Sequence, residues 1–204
     1  MVRVLFAHGF EGSPDGSKPA YMVEELGWEV VAPIMSDLGW TIEQETEVLL
    51  RQIDENGPFD IIAGSSMGGL AAANASQLRP NEKFSLLLIA PAFGLDKLWR
   101  EGAGPDGLAK WKSEGSIQYF HHGFENEITL GWDFFLSAEK MSQPNLNHPT
   151  VILHGTEDEV VPIEFSREVA ARESMIEALI EIKDGHRMQE AKVLFADAAK
   201  ILGY

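Results

Sequence analysis

The 204-residue chain is 45% hydrophobic and 24% charged, with 32 acidic against 16 basic side chains, a formal charge of −16 and no cysteine. That is an ordinary globular composition, long enough for one domain with a sizeable core. The negative field disfavours nucleic acid and anionic membrane surfaces as partners, and the lack of cysteine excludes disulfides, thiolate catalysis and cysteine metal sites.

The first apolar run, Val2 to Ala7 in MVRVLFAHGF, is too short for a secretory core or a membrane span and reads as a strand. No later run approaches about 18 apolar residues, the minimum for a spanning helix. The expectation is a soluble, cytoplasmic protein. Ser17 is placed to N-cap a helix reaching Leu26, with Pro19 tolerated in its first turn. WEVVAP, Trp28 to Pro33, is a second strand.

From Thr41 to Glu55 the spacing predicts a helix. Ile42, Val48, Leu49 and Ile53 share one face, and Glu43, Glu45 and Glu47 are expected to face water. Asp60 to Ala63 is a third strand, followed by a helix from Met67 to Leu78. Strands four to six fall at Phe84 to Ala92, Thr150 to Gly155 and within Ala178 to Gly185. Helices are expected at Ile163 to Arg172 and Met188 to Ile201. Apolar strands alternating with amphipathic helices imply an α/β architecture: a mostly parallel central sheet of about six strands with helices on both faces. Such sheets bind ligands at the carboxyl ends of their strands.

The rhythm breaks after the fourth strand. Between about 93 and 147 lie Trp99, Trp111, Tyr119, Phe120, Phe124, Trp132, Phe134 and Phe135. SIQYFHHGFENEITL reads as a short hairpin and GWDFFLSAEKM as a helix. The aromatics either attach this insertion to the body or make it a cap over the strand ends, and both roles are compatible. The chain is thus one domain, residues 1–204, carrying one aromatic-rich insertion.

Gly64-Ser65-Ser66-Met67-Gly68 fits G-x-S-x-G with Ser66 in the central position, between a predicted strand and a predicted helix. In that setting small neighbours let a sharp turn display the serine hydroxyl. The plain alternative is a small-residue corner for close strand–helix packing. A serine hydroxyl needs a base, and six histidines compete. His186 follows the last strand and shares the rim with Ser66. His8 and His154 precede glycines at strand ends and read as loop braces, and His121, His122 and His148 as structural or surface residues.

The base needs an acid. Glu157, Asp158 and Glu159 follow the fifth strand, and a merely solvated acidic turn is the competing reading there. Asp184 is nearer to His186 in sequence but awkwardly close. The order Ser66, Asp158, His186 is that of nucleophile, acid and base on such a sheet. For an oxyanion hole, Met67 offers one N–H and the loop HGFEGSPDGSK a second, at Phe10.

These motifs resemble those of the α/β-hydrolase superfamily. HGFEGSPDGSK together with GSSMGG is similar to the small bacterial YqiA-like esterases, over about residues 1–92 and 148–204. The resemblance implies an α/β-hydrolase fold, Ser66 as nucleophile, Asp158 as acid, His186 as base, and the Phe10 and Met67 amides as the oxyanion hole. It implies a carboxylesterase for short-chain esters. Glu11 in the oxyanion loop and the absence of an apolar residue after His186 depart from the usual pattern and bear on substrate preference. The expected partner is a small-molecule ester, with no nucleic acid or membrane, and neither metal nor organic cofactor is required. The rivals are a thioesterase on the same triad, a cofactor-free lyase or haloperoxidase, and a non-catalytic ligand-binding module.

Overall fold

Val4, Leu5, Phe6 and Ala7 offer no polar side-chain atom, and the first strand, β1 (Arg3–Ala7), is sealed from water on both faces. The computed structural model, which describes residues 1–204, places β1 inside a six-stranded parallel sheet. The other strands are β2 (Glu29–Val31), β3 (Ile61–Ser65), β4 (Ser85–Ile89), and, beyond the insertion, β7 (Thr150–Gly155) and β8 (Ile176–Ile182). Their order is β2-β1-β3-β4-β7-β8. The chain therefore first builds leftward from β1 to β2, then crosses back to β3 and builds rightward. The reversal opens a crevice between the carboxyl ends of β1 and β3, where Ala7 lies opposite Gly64.

Both faces of the four central strands, β1, β3, β4 and β7, are buried, which is why they read as apolar runs, while the edge strands β2 and β8 are partly exposed. Leu5, Ile62, Leu86, Leu88 and Ile152 face a large core shared with α2 (Ile42–Asn56), α3 (Met67–Leu78) and α6 (Ile163–Arg172). Val4, Phe6, Ile61, Leu87 and Leu153 face a smaller one, closed by α1 (Ser17–Glu24) and α7 (Phe195–Ile201). Two expected helix starts differ. Gly16, not Ser17, is the N-cap of α1, without a side-chain cap. The segment after His186 forms a 3₁₀ turn at Glu190–Leu194 before α7 begins.

Thr41 closes the start of α2 with a capping box: its hydroxyl accepts from the Gln44 N–H and the Gln44 side chain accepts from the Thr41 N–H, each at 3.1 Å. Glu43 and Glu47 face water as expected, but Glu45 does not; it is 1% exposed. α2 packs against α3, the 3₁₀ turn Met35–Leu38 and the helix α5 (Trp132–Met141), so its buried arc is wider than one amphipathic stripe. Glu45 Oε2 has no hydrogen-bond partner, and burial pushes its carboxyl well above the usual 4.5.

An acid whose folded-state pKa is raised supports the fold below its ordinary value, and that support is lost as pH rises through the raised one. Glu45→Met is therefore expected to stabilise the protein by about 1–3 kcal/mol at pH 8, with a smaller gain at pH 5. Urea unfolding of both proteins at the two pH values checks this.

The insertion contains more structure than the sequence disclosed. Between β4 and the hairpin runs α4 (Leu95–Glu114), broken at Gly104 (φ 65°, ψ 172°) just before Pro105. The hairpin is β5 (Ser116–His121) against β6 (Asn126–Gly131), in antiparallel register, and α5 follows directly. Trp111 is buried with its indole N–H donating to the Leu130 carbonyl at 3.1 Å, and it packs against Trp99, Trp132 and Phe135. Other aromatics of the insertion, Trp99, Tyr119 and Phe134, line the main cleft. Tyr119 and Phe134 also pack on Phe10 of the body, so these aromatics both attach the insertion and line the cleft. No helix is long and apolar enough to cross a membrane.

Candidate active site

Ser66 stands between β3 and α3 with φ 54° and ψ −121°, a left-handed conformation that a non-glycine residue rarely adopts. The flanking glycines make this turn possible by close approach. A Cβ on Gly64 would lie 2.4 Å from the Gly68 carbonyl oxygen, and one on Gly68 would lie 2.3 Å from that of Ala7. The serine at 66 is thus lifted onto the rim above the β1–β3 crevice. Ser65, the last residue of β3, is buried beneath it.

His186 reaches Ser66 from the loop after β8. Its Nε2 is 2.9 Å from Ser66 Oγ, and its Nδ1 lies 2.8 Å from Asp158 Oδ2 and 3.0 Å from Oδ1. Asp184, the nearer carboxylate in sequence, accepts the N–H groups of Gly185 and Glu190 and so folds the loop that carries His186. Glu157 is exposed beside Lys183, and Glu159 accepts the His186 backbone N–H at 3.3 Å. Of the three consecutive acids, only Asp158 meets the imidazole.

The Asp158 side chain is 0% exposed. Burial alone would raise its pKa, but hydrogen bonds from His154, His186 and the Val161 N–H outweigh this and hold the carboxyl well below the usual 3.8. The sequence presents His154 as a loop brace, and the structure gives it more. Its Nε2 lies 3.0 Å from the Val161 carbonyl and 3.3 Å from Asp158 Oδ2, while Nδ1 meets Ser166 Oγ at 2.7 Å. This second imidazole lies beside the Asp158 carboxylate from four residues earlier in the chain, and that spacing is its one sign in the sequence.

The amides expected to face a developing oxyanion lie on the two walls of the crevice. Met67 opens α3, where helix geometry leaves its N–H without an intrahelical acceptor and adds the positive end of the helix dipole. The Phe10 N–H has no acceptor within the chain. Its peptide plane is fixed from behind: the Gly9 carbonyl accepts the Gly12 N–H and meets His8 Nδ1, both at 2.9 Å. Since His8 Nε2 accepts the Met35 N–H at 3.1 Å, Nδ1 carries the ring proton. Burial lowers the His8 pKa, which keeps the imidazole neutral and suited to this brace. His148 is likewise structural, between Ser76 and the Glu82 carbonyl and stacked on Phe84.

A cleft of about 1220 Å³ opens over these groups. Leu95, Leu98, Trp99, Ile117 and Phe134 give it an apolar wall, and the loop from Gly9 to Ser13 a polar one. Residues 3–201 match the model of the uncharacterised protein family UPF0227. The chain belongs to this family. No curated protein matches this UPF0227 member in sequence.

Solved structures resemble it over nearly its whole length. A putative hydrolase from Agrobacterium vitis S4 superposes with a TM-score of 0.81 at 20% identity, covering 98% of this chain and 87% of that one. Mouse α/β hydrolase domain-containing protein 10 gives 0.77 at 22% identity, with the same coverage. Est1E from Butyrivibrio proteoclasticus, with ferulic acid bound, gives 0.76 at 20%, again covering 98% and 87%. The fold is that of the α/β-hydrolases, as the sequence motifs implied.

Proposed function

We propose that this UPF0227 protein is a serine hydrolase of short-chain carboxylic esters. The observation that carries the reading is the unbroken hydrogen-bonded chain from Ser66 Oγ through His186 to Asp158, set at the mouth of the cleft. His186 takes the Ser66 proton through Nε2 as Oγ attacks the ester carbonyl. Asp158 holds the opposite ring nitrogen protonated and stabilises the imidazolium. The Phe10 and Met67 N–H groups meet the oxygen on which charge develops. As the tetrahedral intermediate collapses, the alcohol leaves with the proton from His186. Water, deprotonated by the same imidazole, then attacks the acyl-Ser66 ester, and the carboxylic acid departs.

The apolar wall suits the acyl group, and the cleft has to hold acyl and alcohol portions together. Hydrolysis of p-nitrophenyl esters from acetate to decanoate, with kcat/KM measured at each length, tests the reading. The expected profile peaks at or below about six carbons. A rate that climbs through decanoate would remove the short-chain assignment but leave the ester chemistry. No hydrolysis at any length would remove both.

A further inference from the structure

The insertion does more at this site than line the cleft. Its hairpin turn is clasped to the oxyanion loop at Phe10 and Glu11. His121, the last residue of β5 and 0% exposed, places Nε2 2.7 Å from the Phe10 carbonyl oxygen. Its Nδ1 accepts the Phe124 N–H at 3.1 Å, so Nε2 carries the proton and donates. The ring is fixed by stacking on Phe124 at 4.4 Å and by contact with Trp40 and Phe10. Beside it, the Tyr119 hydroxyl donates to Glu11 Oε1 at 3.0 Å. Gly123 sits so close that a Cβ there would lie 2.4 Å from the Glu11 carbonyl oxygen.

The consequence lies in the two peptide planes around Phe10. His8 and the Gly12 N–H hold the Gly9–Phe10 plane, whose N–H has no acceptor within the chain. The Phe10–Glu11 plane has its carbonyl held only from the insertion, by His121. Fixing both planes fixes the backbone angles of Phe10, and with them the direction of its N–H.

We infer that His121 is a positioning residue for catalysis: the hairpin insertion, through the His121–Phe10 hydrogen bond, aims one of the two oxyanion donors. The inference rests on the ester-hydrolase reading above. A hydrogen bond that matters only when charge develops acts on kcat and leaves KM nearly unchanged. A residue that merely held the hairpin in place would not give that split together with rescue by an isofunctional donor.

The test uses the full chain with His121→Phe, His121→Gln and Gly123→Ala, read by kcat and KM on p-nitrophenyl butyrate and by the rate of fluorophosphonate labelling of Ser66. Phenylalanine keeps the ring without the donor. Glutamine places an N–H donor where Nε2 stood. His121→Phe is expected to lower kcat about 10–100-fold with KM within about twofold, because a misaimed donor forfeits part of the factor of about 10²–10³ that a lost one costs. Its labelling rate should fall in parallel, and His121→Gln should return to within about threefold of the wild type. Gly123→Ala keeps His121 but pushes the hairpin off Glu11, and should reproduce the kcat loss; it carries the test if His121→Phe does not fold. A His121→Phe kcat equal to that of the wild type, a His121→Gln no better than His121→Phe, or an unaffected Gly123→Ala would each overturn the inference alone. A wild type inert to both ester and fluorophosphonate would overturn the hydrolase reading and the inference with it.

Discussion

Ser66→Ala is expected to lower ester hydrolysis by about 10⁴–10⁶-fold while leaving the fold intact. Without Oγ there is no acyl-enzyme. What remains is the acceleration that two amides and an apolar cleft give to attack by water. KM should change little, since the hydroxyl contributes more to the transition state than to ground-state binding. The same position makes a second expectation about stability. At φ 54° a residue bearing a Cβ carries strain of about 1–3 kcal/mol, which alanine retains and glycine releases. Ser66→Gly should therefore be as inactive as Ser66→Ala yet unfold at higher urea, by about 1 kcal/mol after the backbone entropy that glycine adds to the unfolded chain. If Ser66→Ala kept wild-type activity, the nucleophile would have to lie elsewhere. If Ser66→Gly were no more stable than Ser66→Ala, the strain at the turn would be absorbed by its neighbours.

Asp158→Asn is expected to cost about 10⁴-fold in kcat, through the wrong tautomer of His186 rather than through lost contact. The two carboxylate oxygens share His186 Nδ1, which is nearer Oδ2, and differ in their other partners. Oδ1 accepts the N–H groups of Val160 and Val161 at 2.9 and 2.8 Å, whereas Oδ2 faces His154 Nε2. An asparagine must keep its oxygen toward the two backbone donors, which turns its NH₂ toward the imidazole. His186 Nδ1 then has to accept, the ring proton moves to Nε2, and the lone pair that should take the Ser66 proton is gone. Raising the pH should recover little of this loss, because the defect is one of tautomer and not of ionisation. The carboxylate also bears on stability. A folded-state pKa held below 3.8 favours the fold above that value and loses its contribution as pH falls further. The stability gap between wild type and Asp158→Asn should therefore narrow on acidification below about pH 4, as urea titrations at pH 7 and pH 3 would show. A variant retaining a tenth or more of wild-type kcat would mean that another group orients His186.

What the sequence by itself determined follows from local and periodic effects. Uninterrupted apolar runs had to be strands buried on two sides. Gly64 and Gly68 around Ser66 marked a turn that only small residues permit. The chain order of Ser66, Asp158 and His186 placed three loops on one rim, because parallel strands put all their carboxyl ends together. The tertiary structure decided what depends on partners far away in the chain. Glu45 carries the periodic signature of a solvated face, but three elements meet around α2 and close over it. α4 escaped the sequence because Gly104 and Pro105 break its pattern in the middle. His154 shows only its spacing from Asp158, and His121 no local sign at all: one lies beside the Asp158 carboxylate across the β7 loop, the other meets a carbonyl 111 residues earlier in the chain. A residue's type and spacing report the face it needs to bury. Which donor meets which acceptor is set by how distant segments pack, and only the folded chain brings those segments together.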